Sequence, residues 1–233
     1  MSEILIDSDL CRLPVSARPK EHYRQVFPNV LEGAGKSRVL VIGSGLSNIV
    51  LEAGVVAIDP AFADPGKMEV DFLLDPDNFS YWDRAKEVSG FLNRLQEGRG
   101  LNRSIVAARA EPGLALPFPR NFFDNIVSSN CIFGGLDAAC GPDSTTMIVG
   151  SVIKHLTPNG KLHLFPFLST GPEEIWSNSQ EEDAIAYATT YNSQHEILRQ
   201  LDSLGFKFSF WDTSVRPDRL PKIYQTVVIT IDS

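Results

Sequence analysis

The chain has 233 residues, enough for one or two domains with a sizeable buried core. Hydrophobic residues make up 43% and charged residues 21% of the sequence, a balance that excludes wholesale disorder. The 29 acidic and 21 basic residues leave a net charge of −8, which excludes a generally basic nucleic-acid-binding surface, and no apolar run approaches the roughly 20 residues of a membrane span.

Short apolar runs bounded by glycine or proline alternate along the chain with segments of helical periodicity. The first half is predicted to contain a helix over 20–26, a strand over 38–43, a short helix over 44–51, a strand over 55–58, a loop over 61–79 and a helix over 80–96. The second half is predicted to contain strands over 104–108, 123–128 and 161–168, a helix capped by Asp143 or Ser144, helices over 180–190 and 193–204 with Gly205 as C-cap, and strands over 207–211 and 224–231.

This order of elements predicts the fold class. Because strands alternate with helices over most of the chain, we expect an α/β, Rossmann-like, doubly wound and mostly parallel seven-stranded sheet with helices on both faces. No helix separates the last two strands, so they should form a C-terminal antiparallel hairpin at one edge. We expect one domain over 38–233, preceded by a leader or cap over 1–37 and carrying an insertion at about 61–100.

Three loops at the carboxyl ends of predicted strands are chemically distinctive, and ligands bind at this edge in open α/β sheets. The first is the Gly-Ser-Gly turn at 43–45, whose glycines let a ligand approach the backbone closely. The second is Asp59, a carboxylate that can accept hydrogen bonds from a ribose diol. The third is the loop at 109–111, where an adenine edge would lie. Together they predict an adenosine-type ligand.

Five segments resemble the class I S-adenosylmethionine-dependent methyltransferases, in particular those acting on small molecules. They are the Val-Leu-Val-Ile-Gly-Ser-Gly motif at 39–45, the strand and acid at 56–60, the stretch from Leu116 to Asn130, the turn at 156–162 and the entry to the terminal hairpin at 201–206. The resemblance extends over about 36–231, with a degenerate first motif. The Leu-Pro-Phe-Pro stretch that leads to Asn130 is its most specific part.

The resemblance implies a donor, a site and a reaction. The cofactor would be S-adenosylmethionine, or S-adenosylhomocysteine as product, and the reaction would be methyl transfer to a small-molecule acceptor. The implied binding residues are Gly43, Ser44 and Gly45 for the methionine part, Asp59 and the adjoining Pro60 for the ribose, Ala110 and Glu111 for the adenine, and Asn130 near the transferred methyl. A sulfonium methyl is already activated, so a general base is needed only if the nucleophile arrives protonated. We therefore assign no catalytic residue.

A second hypothesis is that the protein has this fold but does not catalyse methyl transfer. In the first motif, Val41 stands where the family usually has an acid, and Ser47 where it often has a third glycine. Arg109 stands where the family commonly has an acid for the adenine amino group, and the span from Gly43 to Asp59 is short. These departures favour a non-catalytic methyltransferase-like fold that binds a partner protein or a metabolite.

Other site classes find little support. The three cysteines form no CxxC pair and the four histidines lack matched ligand spacing, so we predict no metal. The odd cysteine count and the absence of a signal-peptide pattern predict a cytoplasmic protein. The Gly-Ala-Gly-Lys-Ser segment at 33–37 precedes a strand rather than a helix, which argues against a phosphate-binding loop. We predict a small-molecule substrate, with no nucleic-acid or membrane partner, and leave a homo-oligomer or a protein partner open.

Overall fold

A central β-sheet organises the chain in the computed structural model, which describes residues 15–16, 20–31, 37–44, 47, 49, 54–59, 70–71, 105–106, 116–172, 181–213 and 224–230. The strands are β1 (Val15–Ser16), β2 (Val39–Ile42), β3 (Val55–Ile58), β4 (Val70–Asp71), β5 (Ile105–Val106), β6 (Phe123–Ser129), β7 (Leu156–Leu168), β8 (Lys207–Asp212) and β9 (Tyr224–Thr230). The helices are α1 (Lys20–Val26), α2 (Asp137–Ile153) and α3 (Glu181–Ser203), and an irregular turn segment, Ile132–Leu136, joins β6 to α2.

The sheet is mostly parallel and has the strand order β5-β3-β2-β6-β7-β9-β8. β2 pairs in parallel with β3 and β6, and β7 continues the parallel arrangement beyond β6. β9 is antiparallel to both β7 and β8, which confirms the predicted C-terminal hairpin. The strand predicted over 104–108 contributes the two-residue β5 to the described part of the sheet, so a seventh full-length strand stays a prediction.

Helices pack against both faces of the sheet, because successive side chains of a strand point to opposite faces. On one face a single apolar cluster joins strands and helices; it includes Leu40, Ile42, Ile126, Leu162, Leu164, Val227 and Ile229 from the strands and Ile148, Val149, Val152, Ile197 and Leu201 from α2 and α3. On the other face Tyr23 of α1 and Phe27, which follows α1, are fully buried, and the Phe27 ring lies 6.2 Å from that of His163. The Thr226 hydroxyl of β9 donates to the backbone oxygen of Val26 at 2.7 Å. Helices on both faces agree with the predicted winding.

Helix α2 starts earlier than the sequence predicts. Its helical residues begin at Asp137, whereas Asp143 or Ser144 is the expected cap. Gly141 interrupts the helix with φ 75° and ψ 173°, and Pro142 opens the regular part that follows. Proline suits the first turn of a helix because its missing N–H would be unpaired there. The expected cap is therefore wrong, and the glycine-proline pair marks the boundary.

Helix α3 is continuous over Glu181–Ser203, where the sequence predicts two separate helices. Asn192 and Ser193 are weak helix formers, and this favours a break between the two predicted helices. Tertiary contacts outweigh this local preference. The Ser193 hydroxyl donates to the backbone oxygen of Asp137 at 2.9 Å, and the neighbouring Gln194 is fully buried. The prediction of two helices is therefore wrong.

Some predicted elements lie outside the described residues. These are the helix over 80–96 and most of the short helix over 44–51. Within the predicted loop over 61–79, Val70–Asp71 form a strand parallel to β1. β7 begins at Leu156, earlier than predicted, because this residue pairs with β6 ahead of an irregular step in the register. None of the described helices combines the length and apolar character that crossing a membrane requires.

The end of α3 is set by Gly205, which has a φ of 87°. The N–H of Gly205 donates to the backbone oxygen of Asp202 at 2.9 Å, and the N–H of Phe206 donates to that of Leu201 at 3.2 Å. This pair of bonds is a Schellman motif, in which a left-handed residue turns the chain and satisfies the last carbonyls of the helix. The predicted C-cap is confirmed.

Replacing Gly205 by alanine should lower the free energy of unfolding by about 1 kcal/mol, because a side chain strains a left-handed residue. A Cβ at Gly205 would meet no atom within 4 Å, so the backbone conformation alone is tested. Gly150 of α2 has equally open surroundings without a positive φ, and Gly150→Ala should raise stability by about 0.5–1 kcal/mol. Urea unfolding measures both variants, and effects of the same sign would contradict this account.

His163 lies in β7 beneath α1 and is almost fully buried. Its Nε2 lies 3.1 Å from the Oδ1 of Asn125, and its ring contacts the rings of Phe27 and Trp211. Burial lowers the pKa of His163 to about 3, with a smaller contribution from the charge of Lys161. The imidazole is therefore neutral in the folded protein, and its Nε2–H donates to Asn125.

The burial of His163 predicts a loss of stability on acidification. The unfolded chain takes up this proton at about pH 6.5 and the folded chain near pH 3, so the unfolded state binds more protons between these values. The contribution is present above pH 6.5 and declines as the pH falls, with a slope approaching about 1.4 kcal/mol per pH unit. Urea unfolding between pH 5 and about 6.5 should show a shallower slope for His163→Gln than for the wild type. Equal slopes would contradict the neutral, buried imidazole.

Candidate functional site

The carboxyl ends of β2, β3 and β6 lie side by side at one edge of the sheet. β2 is the strand at which the chain changes direction across the sheet, since β3 lies on one side of it and β6 on the other. In open α/β sheets, ligands bind outside the carboxyl ends at such a switch point. Gly43 follows β2, Asp59 follows β3 and Asn130 follows β6, so the fold places these three predicted site residues at the same edge.

Gly43 has a role in the protein's own packing. Its φ is 67°, a left-handed conformation that favours glycine, and its N–H donates to the backbone oxygen of Ile58 at 2.9 Å. A Cβ added to Gly43 would overlap the Cβ and Sγ of Cys131, the second residue after β6. The missing side chain therefore makes room for Cys131 on that side of the turn.

Cys131 lies against Gly43 at the switch point, the edge of the sheet that is called the switch-point crevice below. The pKa of its thiol is raised to about 12, mainly by burial and also by the negative charges of Asp59 and Asp137, although the hydrogen bond to Ser128 opposes the shift. The side chain is a neutral thiol at neutral pH because its pKa lies far above 7. It is therefore a poor nucleophile, since reactive cysteines have a lowered pKa. Cys131 therefore acts here as a small packing group, as free cysteines commonly do.

Asp59 is buried at the end of β3. Its charge acts on the Cys131 thiol, which shows that the carboxylate lies close to the same crevice. A carboxylate at the end of the second strand is where a ribose diol is held in nucleotide-binding α/β folds. Among the described residues, Asp59 is therefore the one whose place and chemistry fit an adenosine ligand.

A short turn follows Gly43. Ser44 is fully buried, and the N–H of Ser47 donates to the Ser44 backbone oxygen at 3.2 Å. The Ser47 hydroxyl accepts the N–H of Ile49 at 3.3 Å. Serine hydroxyls often take part in such local turns. Ser47 thus stabilises the turn through its side chain, at the position where the methyltransferase family often has a glycine.

Asn130 continues from β6 in a left-handed conformation with φ 54°, which asparagine tolerates better than most residues. Its N–H donates to the backbone oxygen of Phe165 at 2.7 Å, and its Nδ2 donates to the Ser129 Oγ at 2.9 Å. Asn130 is half-buried and directly follows β6 at its carboxyl end. Asn130 therefore closes the β6–β7 pairing and also borders the candidate site.

Two polar residues next to Asn130 were not predicted as site residues. His22 of α1 is buried, and its Nε2 lies 2.8 Å from the hydroxyl oxygen of Ser129. In sequence these residues are 107 positions apart, so no spacing rule could pair them. The only signal in the sequence was the place of Ser129 at the end of a predicted strand, beside Asn130.

A buried polar network supports the wall of the crevice from below. The Oδ1 of Asp137 accepts the N–H groups of Gly135 and Ala138, both at 2.9 Å, and its Oδ2 accepts the Nε2 of Gln194 at 2.8 Å. Burial raises the pKa of Asp137, and the hydrogen bonds from Gln194 and the backbone oppose that shift. The Oε1 of Gln194 accepts the N–H of Leu168 at 2.9 Å. The network ties α2, α3 and β7 to the segment that carries Cys131.

Four of the predicted site residues lie outside the described part of the chain: Gly45, Pro60, Ala110 and Glu111. Their roles, and that of Arg109, stay predictions. Within the described ranges, no group of three or more histidine, cysteine, aspartate or glutamate side chains is arranged to hold a metal ion. The fit to an adenosine-type cofactor therefore depends on Asp59, since Cys131 takes up the open side of Gly43.

Comparisons with known proteins were made at the level of sequence and of structure. No family model matches the chain, and no curated protein matches it. Similar solved structures include a possible exported protein from Bordetella parapertussis (16% identity, 92% of this chain and 68% of that one, TM-score 0.46) and a SAM dependent methyltransferase from Aquifex aeolicus (15%, 88% and 90%, TM-score 0.45). A third is the glycopeptide N-methyltransferase MtfA complexed with sinefungin (14%, 91% and 91%, TM-score 0.49). The class I methyltransferase-like fold itself is carried by the strand order and pairings described above.

Gly43→Ala should lower the free energy of unfolding by about 2–4 kcal/mol. The new Cβ would overlap Cys131, and the alanine backbone would have to keep a positive φ that is strained for a residue with a side chain. Adding Cys131→Gly to this variant should recover part of the loss, since it removes the overlap but leaves the backbone strain. Urea unfolding of the wild type, both single variants and the double variant gives the coupling between the two sites. Strictly additive effects would contradict the contact.

Proposed function

We propose that the protein binds S-adenosylmethionine at the carboxyl ends of β2, β3 and β6 and transfers its methyl group to a small-molecule acceptor. The observation that carries this proposal is the buried carboxylate of Asp59 at the end of β3, beside the turn that follows β2. A carboxylate at this place can accept hydrogen bonds from the two hydroxyl groups of a ribose. The location agrees with the general rule for ligand sites in open α/β sheets.

The finer assignment of roles is part of the proposal. Asp59, with Pro60, would hold the ribose; Gly43, Ser44 and Gly45 would border the methionine part; Ala110 and Glu111 would border the adenine; Asn130 would lie near the transferred methyl. The N–H of Gly43 is already bonded to Ile58, so the turn would act through the residues after it. S-adenosylhomocysteine, the product, would occupy the same residues.

The chain's contribution to the reaction would be positioning. The cofactor supplies an activated methyl group when bound. The half-buried Asn130 and the buried Ser129 would line the place where an acceptor meets that group, and burial there would exclude water. The thiol of Cys131, with its raised pKa, stays unreactive during this step.

Broader expectations also stand as proposals. They are a single domain over 38–233 with a leader over 1–37 and an insertion at about 61–100, a seventh strand built around β5, and a cytoplasmic location based on the cysteine count. A homo-oligomer or a protein partner stays open. The acceptor is a small molecule in this proposal, with no nucleic-acid partner.

The second candidate is a non-catalytic fold that binds a metabolite or a partner protein. The packing of Cys131 against Gly43 favours it, because the protein itself takes up space that a glycine turn often leaves for a ligand. Ser47 favours it too, since its hydroxyl is used within the turn. In this case Asp59 would serve the local structure rather than a ribose.

Calorimetric titration with S-adenosylmethionine and S-adenosylhomocysteine decides between the two functions. We expect micromolar binding by the wild type and a loss of at least about tenfold in Asp59→Asn, because a charged acceptor of two hydrogen bonds is removed. Asp202→Asn, an exposed acid on α3, is the matched control and should bind like the wild type. Absence of binding at millimolar ligand would favour the non-catalytic fold, and equal binding by Asp59→Asn would refute the ribose assignment.

A further inference from the structure

A histidine and a serine form a hydrogen-bonded pair at the carboxyl end of β6. The Nε2 of His22 lies 2.8 Å from the Oγ of Ser129, and both residues are buried. His22 belongs to α1 and Ser129 is the last residue of β6, so the fold creates this pair from distant segments. The ring of His22 packs edge-on against Tyr23 and Phe165, with centroids 5.7 Å away in each case.

The hydrogen bonds around Ser129 allow its hydroxyl to donate to His22. The Nδ2 of Asn130 donates to the Ser129 oxygen at 2.9 Å. The Ser129 hydroxyl proton remains available for the Nε2 of His22, and this is the direction that the relay requires. In this arrangement His22 is neutral and carries its proton on Nδ1. A neutral imidazole accepts protons near neutral pH more readily than any other uncharged side chain.

The pair lies beside the proposed methyl-transfer position. Ser129 directly precedes Asn130, which borders the switch-point crevice and is half-buried. Tyr23 of α1 and Phe165 of β7 pack against the His22 ring. The charged residues next to His22 on its own helix are Glu21 and Arg24. The hydrogen bond between His22 and Ser129 also holds α1 against the end of β6.

We propose that Ser129 and His22 form a proton relay, and that the methyl acceptor is a hydroxyl compound. This inference rests on the proposed function and names its substrate class. The acceptor's O–H proton passes to Ser129 Oγ while the Ser129 proton passes to His22 Nε2; the acceptor oxygen forms a bond to the methyl carbon, and the electrons of the broken carbon–sulfur bond stay on sulfur as a thioether. His22 then releases the proton to water. Ser129 touches the acceptor, and His22 is the positioning residue that acts through it.

Nuclear magnetic resonance of the histidine ring nitrogens tests the pair without any acceptor. We expect the His22 ring to be the Nδ1–H tautomer in the wild type, with Nε2 accepting a hydrogen bond. Ser129→Ala should move the Nε2 resonance. His155→Gln is the control, because that buried histidine bonds to the backbone oxygen of Pro119 at the opposite end of β6. An Nδ1-unprotonated ring, or no response to Ser129→Ala, would overturn the relay.

The pH dependence of cofactor binding tests whether His22 is the group that receives the proton. A protonated His22 beside the transferred methyl repels the positive sulfonium of S-adenosylmethionine but not the neutral thioether of S-adenosylhomocysteine. The quantity to measure is the affinity for S-adenosylmethionine divided by the affinity for S-adenosylhomocysteine. Effects of pH that are common to both ligands cancel in this ratio. As the pH falls, protonation of His22 should lower this ratio by about tenfold in the wild type, as expected for like charges several ångströms apart. It should be nearly constant in His22→Gln, with His22→Asn as a second variant, and should fall as in the wild type in His155→Gln.

The outcomes separate this inference from the proposed function. If the wild type binds both ligands and the pH dependence of the ratio persists in His22→Gln and His22→Asn, the relay is wrong and the cofactor site stands. If the wild type binds neither ligand, the proposed function fails and the relay fails with it. The expected tautomer together with a pH dependence lost in both His22 variants supports a hydroxyl acceptor.

Discussion

The burial of β2 between two parallel neighbours is the constraint on which the rest of the structure depends. Val39, Leu40 and Val41 have no exposed surface, and Ile42 has almost none. A central strand must pair its backbone groups on both edges, because an unpaired buried amide or carbonyl is costly. The pairings with β3 and β6 meet this demand and bring the ends of three strands to one edge. β2 itself is apolar and enclosed along its length, so a ligand can approach this strand only beyond its carboxyl end.

The switch-point crevice is shaped by competing demands. The turn after β2 needs glycine for its backbone, and the fold uses the open side of Gly43 to seat Cys131. Asp137 and Gln194 hold the segment that carries Cys131, although burial of the Asp137 carboxylate is unfavourable in itself. Such a satisfied buried network specifies one arrangement of its segment. A ligand that approaches the turn after β2 would have to fit beside Cys131, because Cys131 occupies the open side of Gly43.

Much of the fold could be predicted from the periodicity of apolar residues and from the glycine and proline residues that end helices and strands. The boundaries of α1 and β3 and the C-cap at Gly205 agree with the sequence analysis, because each depends on residues local to it. The errors occur where distant contacts decide. α3 runs through a weak helical stretch because Ser193 bonds to the backbone of Asp137, and no local pattern reports that bond.

The sequence by itself determined the mostly parallel sheet, its antiparallel hairpin and the placing of Gly43, Asp59 and Asn130 at strand ends, since apolar periodicity and chain order carry that information. Only the tertiary structure decided that Cys131 fills the open side of Gly43 and that His22 meets Ser129. The reason is physical: hydrogen bonds and steric contacts act over a few ångströms in space. The sheet topology and the packing of α1 bring those atoms together, whereas their separation in sequence does not reveal it.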